Sequence, residues 1–255
     1  MQNQAKHYLQ NWRQWQAPFQ TEPQIIKQLE GGLTNTNYLV EAGSYRAVLR
    51  LNNPDAYQLG VNRQAEIAIL KKLQSTNIVP RFYYADSEIL VSEYIDGSTL
   101  DADRALQPEI KKHIEQALHE VQAIELADVK TRNYQSYLSN YCSHINPCFM
   151  DESLSQAICQ IASTIDAQDW KPVLCHHDLI PENIITSSRG IFIIDWEYAA
   201  MGHPQFDYLR IFSNEKTTSK LPTFQAILDQ LWYAIRYPQR QQTLRQKLIN
   251  IVEAG

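Results

Sequence analysis

The sequence predicts an α+β chain in two lobes, a smaller first lobe built mostly of strands and a larger second lobe built mostly of helices. Three observations carry that expectation. Residues 25–51 form short apolar runs broken by Gly31-Gly32 and by Gly43-Ser44, the pattern of a strand followed by a hairpin. Residues 108–126, 134–146, 152–168, 222–237 and 240–252 repeat apolar side chains at the spacing of helices with one buried face. Residues 174–198, LCHHDLIPENIITSSRGIFIIDWEY, set two apolar runs on either side of Ser187-Ser188-Arg189-Gly190, a turn of the length that closes a second hairpin. With 255 residues the chain is long enough for each lobe to bury a core.

Taken in order, residues 1–22 place Tyr8, Leu9, Trp12 and Trp15 at helix-like spacing and end before Pro23, which predicts a helix packed on the first lobe. The strand and hairpin of residues 25–51 follow. The pattern LGVNRQAEIAILKKLQ, residues 59–74, reads as a helix with Val61, Ala65, Ala68, Ile69 and Leu73 on its buried side. Pro80 opens a strand over residues 81–85, and residues 88–95 form the next. The helix at 108–126 begins with Pro108 and Glu109, a start that suits the first turn. Residues 200–207, AMGHPQFD, lead into a further helix.

Composition narrows the function. Hydrophobic residues at 44% and charged residues at 20% are those of an ordinary globular protein. A net charge of -5 argues against a broad nucleic-acid surface or an anionic-membrane surface. The first residues hold no apolar core of signal-peptide length and no stretch approaches a membrane span, so the expected location is the cytoplasm. The four cysteines, Cys142, Cys148, Cys159 and Cys175, form no C-x-x-C pair and are expected as reduced thiols.

The chemistry concentrates in the hairpin of residues 184–194. Pairing across its turn returns Asn183 to the side of Ile194 or Asp195. An amide and a carboxylate on neighbouring strand ends are hard oxygen ligands, suited to Mg²⁺ held by few protein groups together with phosphates. Asp178, in a loop broken by Pro181, lies where its carboxylate can face the same opening without being a ligand, which gives it the role of base. The competing reading has Asp178 and Asn183 closing a local turn and Asp195 at the surface after a strand. Four apolar residues before Asp195 weigh against it, since a carboxylate there without a cation or donor is costly. In the first lobe, Gly31 and Gly32 allow a sharp turn, and Thr34, Asn35 and Thr36 offer the donors needed to cover a triphosphate.

These residues resemble the family of small-molecule kinases that includes aminoglycoside phosphotransferases, choline and ethanolamine kinases and bacterial thiamine kinases. His176-His177-Asp178 with Asn183 is similar to the family's H-x-D-x-x-x-x-N loop, and Ile194-Asp195-Trp196-Glu197-Tyr198 to its I-D-(F/W)-E-Y segment. The loop at residues 31–35 resembles the G-G-(L/M)-(S/T)-N element of choline and thiamine kinases, and Gly202 to Asp207 the G-x-P-x-x-D element. The resemblance implies a protein-kinase-like two-lobed fold, with a nucleotide-binding lobe over residues 1–96 and a catalytic and substrate-binding lobe over residues 97–255. It implies ATP and Mg²⁺ as cofactors, Asp178 as catalytic base, and Asn183 and Asp195 as metal ligands. It also implies Arg50, paired with Glu66, as the phosphate-binding cation; Gly32, Thr34 and Asn35 as a cover for the phosphates; and the backbone at Glu93, Tyr94 and Ile95 as the adenine contact. His176 and Asp207 are implied as supports of the catalytic loop.

A protein substrate is disfavoured, since no activation segment ending in A-P-E follows Asp195. A small acceptor is expected, and Trp196, Glu197, Tyr198, Trp232, Tyr233 and Tyr237 suggest an aromatic, acidic pocket for a cationic alcohol. Thiamine is the leading expectation and choline or ethanolamine the alternative. The basic tail QRQQTLRQKLINIVEAG counts against an aminoglycoside, and the intact Asp178, Asn183 and Asp195 count against an inactive kinase-like binding protein. The oligomeric state is not legible.

Overall fold

The structure, a computed structural model, describes residues 2–254 apart from Leu33, Ala127, Pro147, Cys148, Asn214 and Glu215. Along the chain, α1 (Gln2–Leu9), β1 (Gln24–Leu29), β2 (Thr36–Ala42), β3 (Tyr45–Leu51), α2 (Arg63–Leu73), β4 (Phe82–Ala85), β5 (Ile89–Glu93), β6 (Gly97–Thr99) and α3 (Ala102–Ala105) come first. They are followed by α4 (Pro108–Gln122), α5 (Tyr134–Ser143), α6 (Glu152–Asp166) and β7 (Val173–Cys175). The hairpin β8 (Ile184–Ser187) and β9 (Gly190–Ile193) precedes β10 (Ala200–Gly202), α7 (Phe206–Ile211), α8 (Leu221–Arg236) and α9 (Gln241–Ala254). The chain divides into two compact units: Met1–Ala56, Asn62–Ala105 and Pro181–Glu197 in the first, Tyr57–Val61, Leu106–Ile180 and Tyr198–Gly255 in the second.

In the first unit an antiparallel sheet runs β1-β2-β3-β5-β4. Alternation puts Tyr38, Val40, Ala47, Leu49, Ile89 and Val91 on one face, where Ala5, Leu9, Trp15 and Phe19 cover them. The helix expected over residues 1–22 ends at Leu9, and only a 3-10 turn follows, at Trp12–Gln14. Trp15 is already extended, with ψ of 137°, and Pro18 has no amide to give a helix; the extended path brings Trp15 and Phe19 onto the sheet. The second helix is shorter than residues 59–74 because Asn62 caps it, its Oδ1 accepting from the Ala65 amide at 3.1 Å. Of the side chains expected on its inner face, Val61, Ile69 and Leu73 are buried and Ala65 and Ala68 half-buried, while Glu66 and Leu70 are also buried.

The hairpin β8-β9 joins the first unit through β6, in a sheet of order β6-β8-β9 with Gly97 opposite Ser187 and Thr99 opposite Ile185. The register Ile184 to Ile193 continues outward, where the Ile194 amide donates to the Asn183 carbonyl at 2.9 Å. Asn183 and Asp195 therefore stand at the open end of one hairpin.

In the second unit, β7 and β10 pair antiparallel, Cys175 opposite Ala200. Tyr134 is fully buried, stacks on Phe206 at 5.6 Å and meets Phe224 edge-on at 5.3 Å. Its hydroxyl accepts from the His203 amide at 2.8 Å, so one ring ties α5, α7 and α8 to the end of β10. Gly202 is required at that end, since a Cβ would stand 2.6 Å from the His177 ring. Neither short strand was expected from the sequence. Cys142, Cys159 and Cys175 are free thiols, and Cys148 lies outside the described residues. Among the described residues no helix is long and apolar enough to cross a membrane.

Candidate active site

In the first unit β3 carries Arg50 inward, where it is 6% exposed. Its Nη2 lies 2.7 and 2.8 Å from the two oxygens of Glu66, one turn into α2, and its Nη1 lies 3.3 Å from Asp195 Oδ1. Arg63, at the start of the same helix, pairs with Glu66 at 2.9 Å and with Glu197 at 2.8 Å. Asn35 closes the circuit: its Nδ2 donates to Glu197 Oε2 at 2.8 Å, and its Oδ1 accepts from Arg63 at 2.9 Å and from the Asn53 amide at 3.1 Å. Two guanidinium groups and three carboxylates are thus held together, each donor aimed by more than one acceptor. Although burial pushes the Glu66 carboxyl up, Arg50 and Arg63 hold it below the usual range. Burial, with the Asp195 charge beside it, pushes the Glu197 carboxyl up to about 7 against the pull of Arg50 and Arg63.

The Gly loop is fixed by the same circuit. A Cβ on Gly32 would stand 2.5 Å from the Asn35 carbonyl oxygen, so only glycine fits there. Thr34 is half-buried, and Leu33 between them lies outside the described residues. Glu93 at the end of β5 pairs with Arg189 at 2.9 Å, the Tyr94 amide donates to the Arg46 carbonyl at 3.4 Å, and Ile95 is buried. Asp195 adopts a left-handed backbone with φ of 64°, a conformation that aspartate tolerates better than most residues. Among the described residues no group of three or more His, Cys, Asp or Glu side chains is placed to hold a metal. Asn183 and Asp195 are accordingly a sparse pair of hard oxygen donors, the kind that fits a cation shared with phosphate oxygens. Trp196 and Glu197, expected from the sequence in an acceptor pocket, are both 2% exposed. Trp196 donates to the Ile193 carbonyl at 3.0 Å and Glu197 is held by Asn35 and Arg63, so both belong to the interior of the first unit.

In the second unit the loop after β7 carries His176, His177 and Asp178. Asp207, completely buried in α7, accepts from the amides of His176 at 2.6 Å and His177 at 2.9 Å. Burial pushes the Asp207 carboxyl up, and the neighbouring His176 with the two amides offsets that only in part. His176 is 1% exposed, and its Nδ1 accepts from the Asp178 amide at 3.3 Å. Asp178 is half-buried, and its Oδ1 lies 3.3 Å from Arg210. Trp232 on α8 is half-buried and donates to the Tyr198 hydroxyl at 3.1 Å. Its ring lies 5.1 Å from Tyr233 and 6.5 Å from Tyr237. Arg63 and Arg210 were given no role from the sequence. Arg63 had a visible signal in its three-residue spacing from Glu66, but Arg210 finds its acidic partners on other elements.

His177 supplies a pH test. It has φ of 64°, is buried, and its Nδ1 has no hydrogen-bond partner among the described residues. Burial first, and the Arg132 charge next, hold its imidazole well below the ordinary 6.5. A folded-state value below the unfolded one gives stability that is complete above the unfolded value and lost as pH falls through it. Unfolding free energy is therefore expected to drop by up to about 1.4 kcal/mol per pH unit below roughly pH 6. His177→Asn, which tolerates positive φ, should flatten the slope in urea titrations between pH 5 and 7.5. An unchanged slope would assign the effect to other groups.

A profile of the choline/ethanolamine kinase family matches residues 26–245. The chain belongs to the choline/ethanolamine kinase family. It is similar to Protein LicA of Haemophilus influenzae, 23% identical over 206 residues that cover 76% of this chain and 59% of that protein. Ethanolamine kinase 1 of Mus musculus is 27% identical over 168 residues, 59% of this chain and 46% of that protein. The chain thus spans roughly half the length of these two relatives. Among solved structures, choline kinase LicA from Streptococcus pneumoniae superposes with a TM-score of 0.69 at 23% identity, covering 90% of this chain and 95% of that one. The fold is therefore kinase-like, with an antiparallel sheet in the amino-terminal part and helices in the carboxy-terminal part. Thiamine, the acceptor ranked first from the sequence, finds no support in the family match.

Proposed function

We propose that the chain is an ATP-dependent kinase of a small cationic alcohol, with choline or ethanolamine as acceptor. The observation that carries this reading is the family match over residues 26–245, which takes in every residue given a role below. Arg50, aimed by Glu66, steadies the phosphates, and the loop of Gly32, Thr34 and Asn35 covers them. The backbone at Glu93, Tyr94 and Ile95 receives the adenine. Asn183 and Asp195 hold Mg²⁺, which when bound neutralises charge on the phosphate oxygens.

Asp178 orients the acceptor hydroxyl and takes its proton. The hydroxyl oxygen forms a bond to the γ-phosphorus as the bond from that phosphorus to the β-γ bridging oxygen breaks. The products are a phosphomonoester and ADP, and the proton passes from Asp178 to solvent. Asp207 and His176 hold the loop from which Asp178 projects. The cationic end of the acceptor is assigned to the aromatic group of Trp232, Tyr233 and Tyr237, which favours a quaternary ammonium because ring faces need no N–H donor.

ADP release measured with choline, ethanolamine, thiamine and kanamycin in turn tests the assignment. Turnover with choline or ethanolamine well above the other two is the expected result. Turnover with thiamine alone would restore the acceptor ranked first from the sequence, and binding of ATP without turnover of any alcohol would leave a kinase-like binding protein.

A further inference from the structure

The half-buried guanidinium of Arg210 stands between two carboxylates of the second unit. Its Nη1 lies 2.7 Å from Asp229 Oδ2 and its Nη2 lies 2.8 Å from Asp229 Oδ1, a bidentate pair. The same Nη2 lies 3.3 Å from Asp178 Oδ1. Arg210 and Asp207 are three residues apart on α7, so both reach the loop after β7 from one face of that helix. Asp207 fixes the loop's backbone at His176 and His177, and Arg210 touches the side chain of the next residue. Asp229 lies on α8, one turn before Trp232 and Tyr233.

We infer that Arg210 is a positioning residue for the base Asp178, and that Asp229 sets how strongly it acts. The inference rests on the proposed role of Asp178. A base must present one oxygen to the acceptor hydroxyl, and a contact at Oδ1 restricts rotation of the carboxylate. A bare guanidinium at that distance would also stabilise the ionised form and weaken the base. Asp229 offsets this by taking the shorter, two-pronged contact and leaving Asp178 the longer, single one. Among the described residues, the groups that bear on the Asp178 carboxylate include Arg210 at its side, His176 and Asp207 in the loop and α7 behind it, and Asp229 beyond the guanidinium.

The two neighbours should therefore act in opposite directions. Arg210→Met removes the cation and leaves Asp178 with the charges of Asp229 and Asp207, so the acidic limb of the kcat profile should move to higher pH. Asp229→Asn releases the guanidinium toward Asp178, and the limb should move to lower pH, with kcat reduced. Shifts of about one unit are expected in each case. Arg210→Lys, which keeps the charge, should recover the wild-type limb and part of kcat. KM for ATP should change less than twofold throughout.

The experiment is kcat against pH with choline for wild type, Arg210→Met, Arg210→Lys, Asp229→Asn and Asp178→Asn, with thermal melts on each. If Arg210→Met does not fold, the downward shift in Asp229→Asn decides. Limbs that stay in place, or move together, would overturn the inference while a dead Asp178→Asn kept the base. An Asp178→Asn variant as active as wild type would remove the base and the inference with it.

Discussion

Asp178→Ala should lower turnover by about 10²–10⁴-fold, the range that a positioned general base contributes, while nucleotide affinity stays within about twofold of wild type. The separation follows from where the side chains sit. Asp178 is in the second unit, paired with Arg210, whereas Arg50, Glu66, Asn183 and Asp195 are all in the first. Truncating Asp178 leaves Arg210 its bidentate contact with Asp229, so no buried charge is orphaned and the fold should survive. Single-turnover phosphoryl transfer and equilibrium binding of a fluorescent ATP analogue measure the two quantities separately. Activity equal to wild type would take Asp178 out of the reaction. A parallel collapse of nucleotide affinity would mean that its carboxylate acts in binding rather than in proton transfer.

The features legible in the sequence were those written in local spacing. The hairpin β2-β3 announced itself by alternation around Gly43-Ser44, and β8-β9 by two apolar runs around a Gly-containing turn. The contact between Ile194 and Asn183 follows directly from that second register. The circuit around Arg50 was only half visible. Arg63 and Glu66 share a helix face, but Asn35 and Glu197 meet across 162 positions, and nothing in either neighbourhood signals the other. Glu197 looked like a pocket residue because its type suits a cation; its burial depends on Arg63 and Asn35 closing over it. The short strands β7 and β10 failed to show because three residues carry too little periodicity. For residues 1–22 the aromatic spacing is helical, but packing of Trp15 and Phe19 on the sheet outweighs a helix that Pro18 would have interrupted.

Glu66→Ala should cost about 3–5 kcal/mol of unfolding free energy, the usual penalty for removing one partner of a buried ion pair. The size comes from what remains behind. Glu66 is 2% exposed and accepts at both oxygens from Arg50 Nη2 and at Oε2 from Arg63, and the side chains of those two arginines are 7% and 13% exposed. Removing the carboxylate leaves two largely buried guanidinium groups, Arg50 with Asp195 at 3.3 Å and Arg63 with Glu197 at 2.8 Å, the latter carboxyl itself pushed up to about 7. A typical domain has about 5–15 kcal/mol to lose, so the variant should unfold at far lower urea than wild type. Glu66→Gln, which keeps an acceptor oxygen but not the charge, should fall between the two. The sign of the pH effect separates this from a simple cavity. A carboxyl held below its unfolded value contributes stability above about pH 4.5 that is lost as pH falls, so wild type should lose stability on acidification and Glu66→Gln should lose less. The KM for ATP should rise in both variants, because a guanidinium no longer aimed by Glu66 turns to Asp195. Should Glu66→Ala cost less than about 1 kcal/mol with KM unchanged, Arg50 would be held by its other neighbours, and Glu66 would not be the residue that aims it.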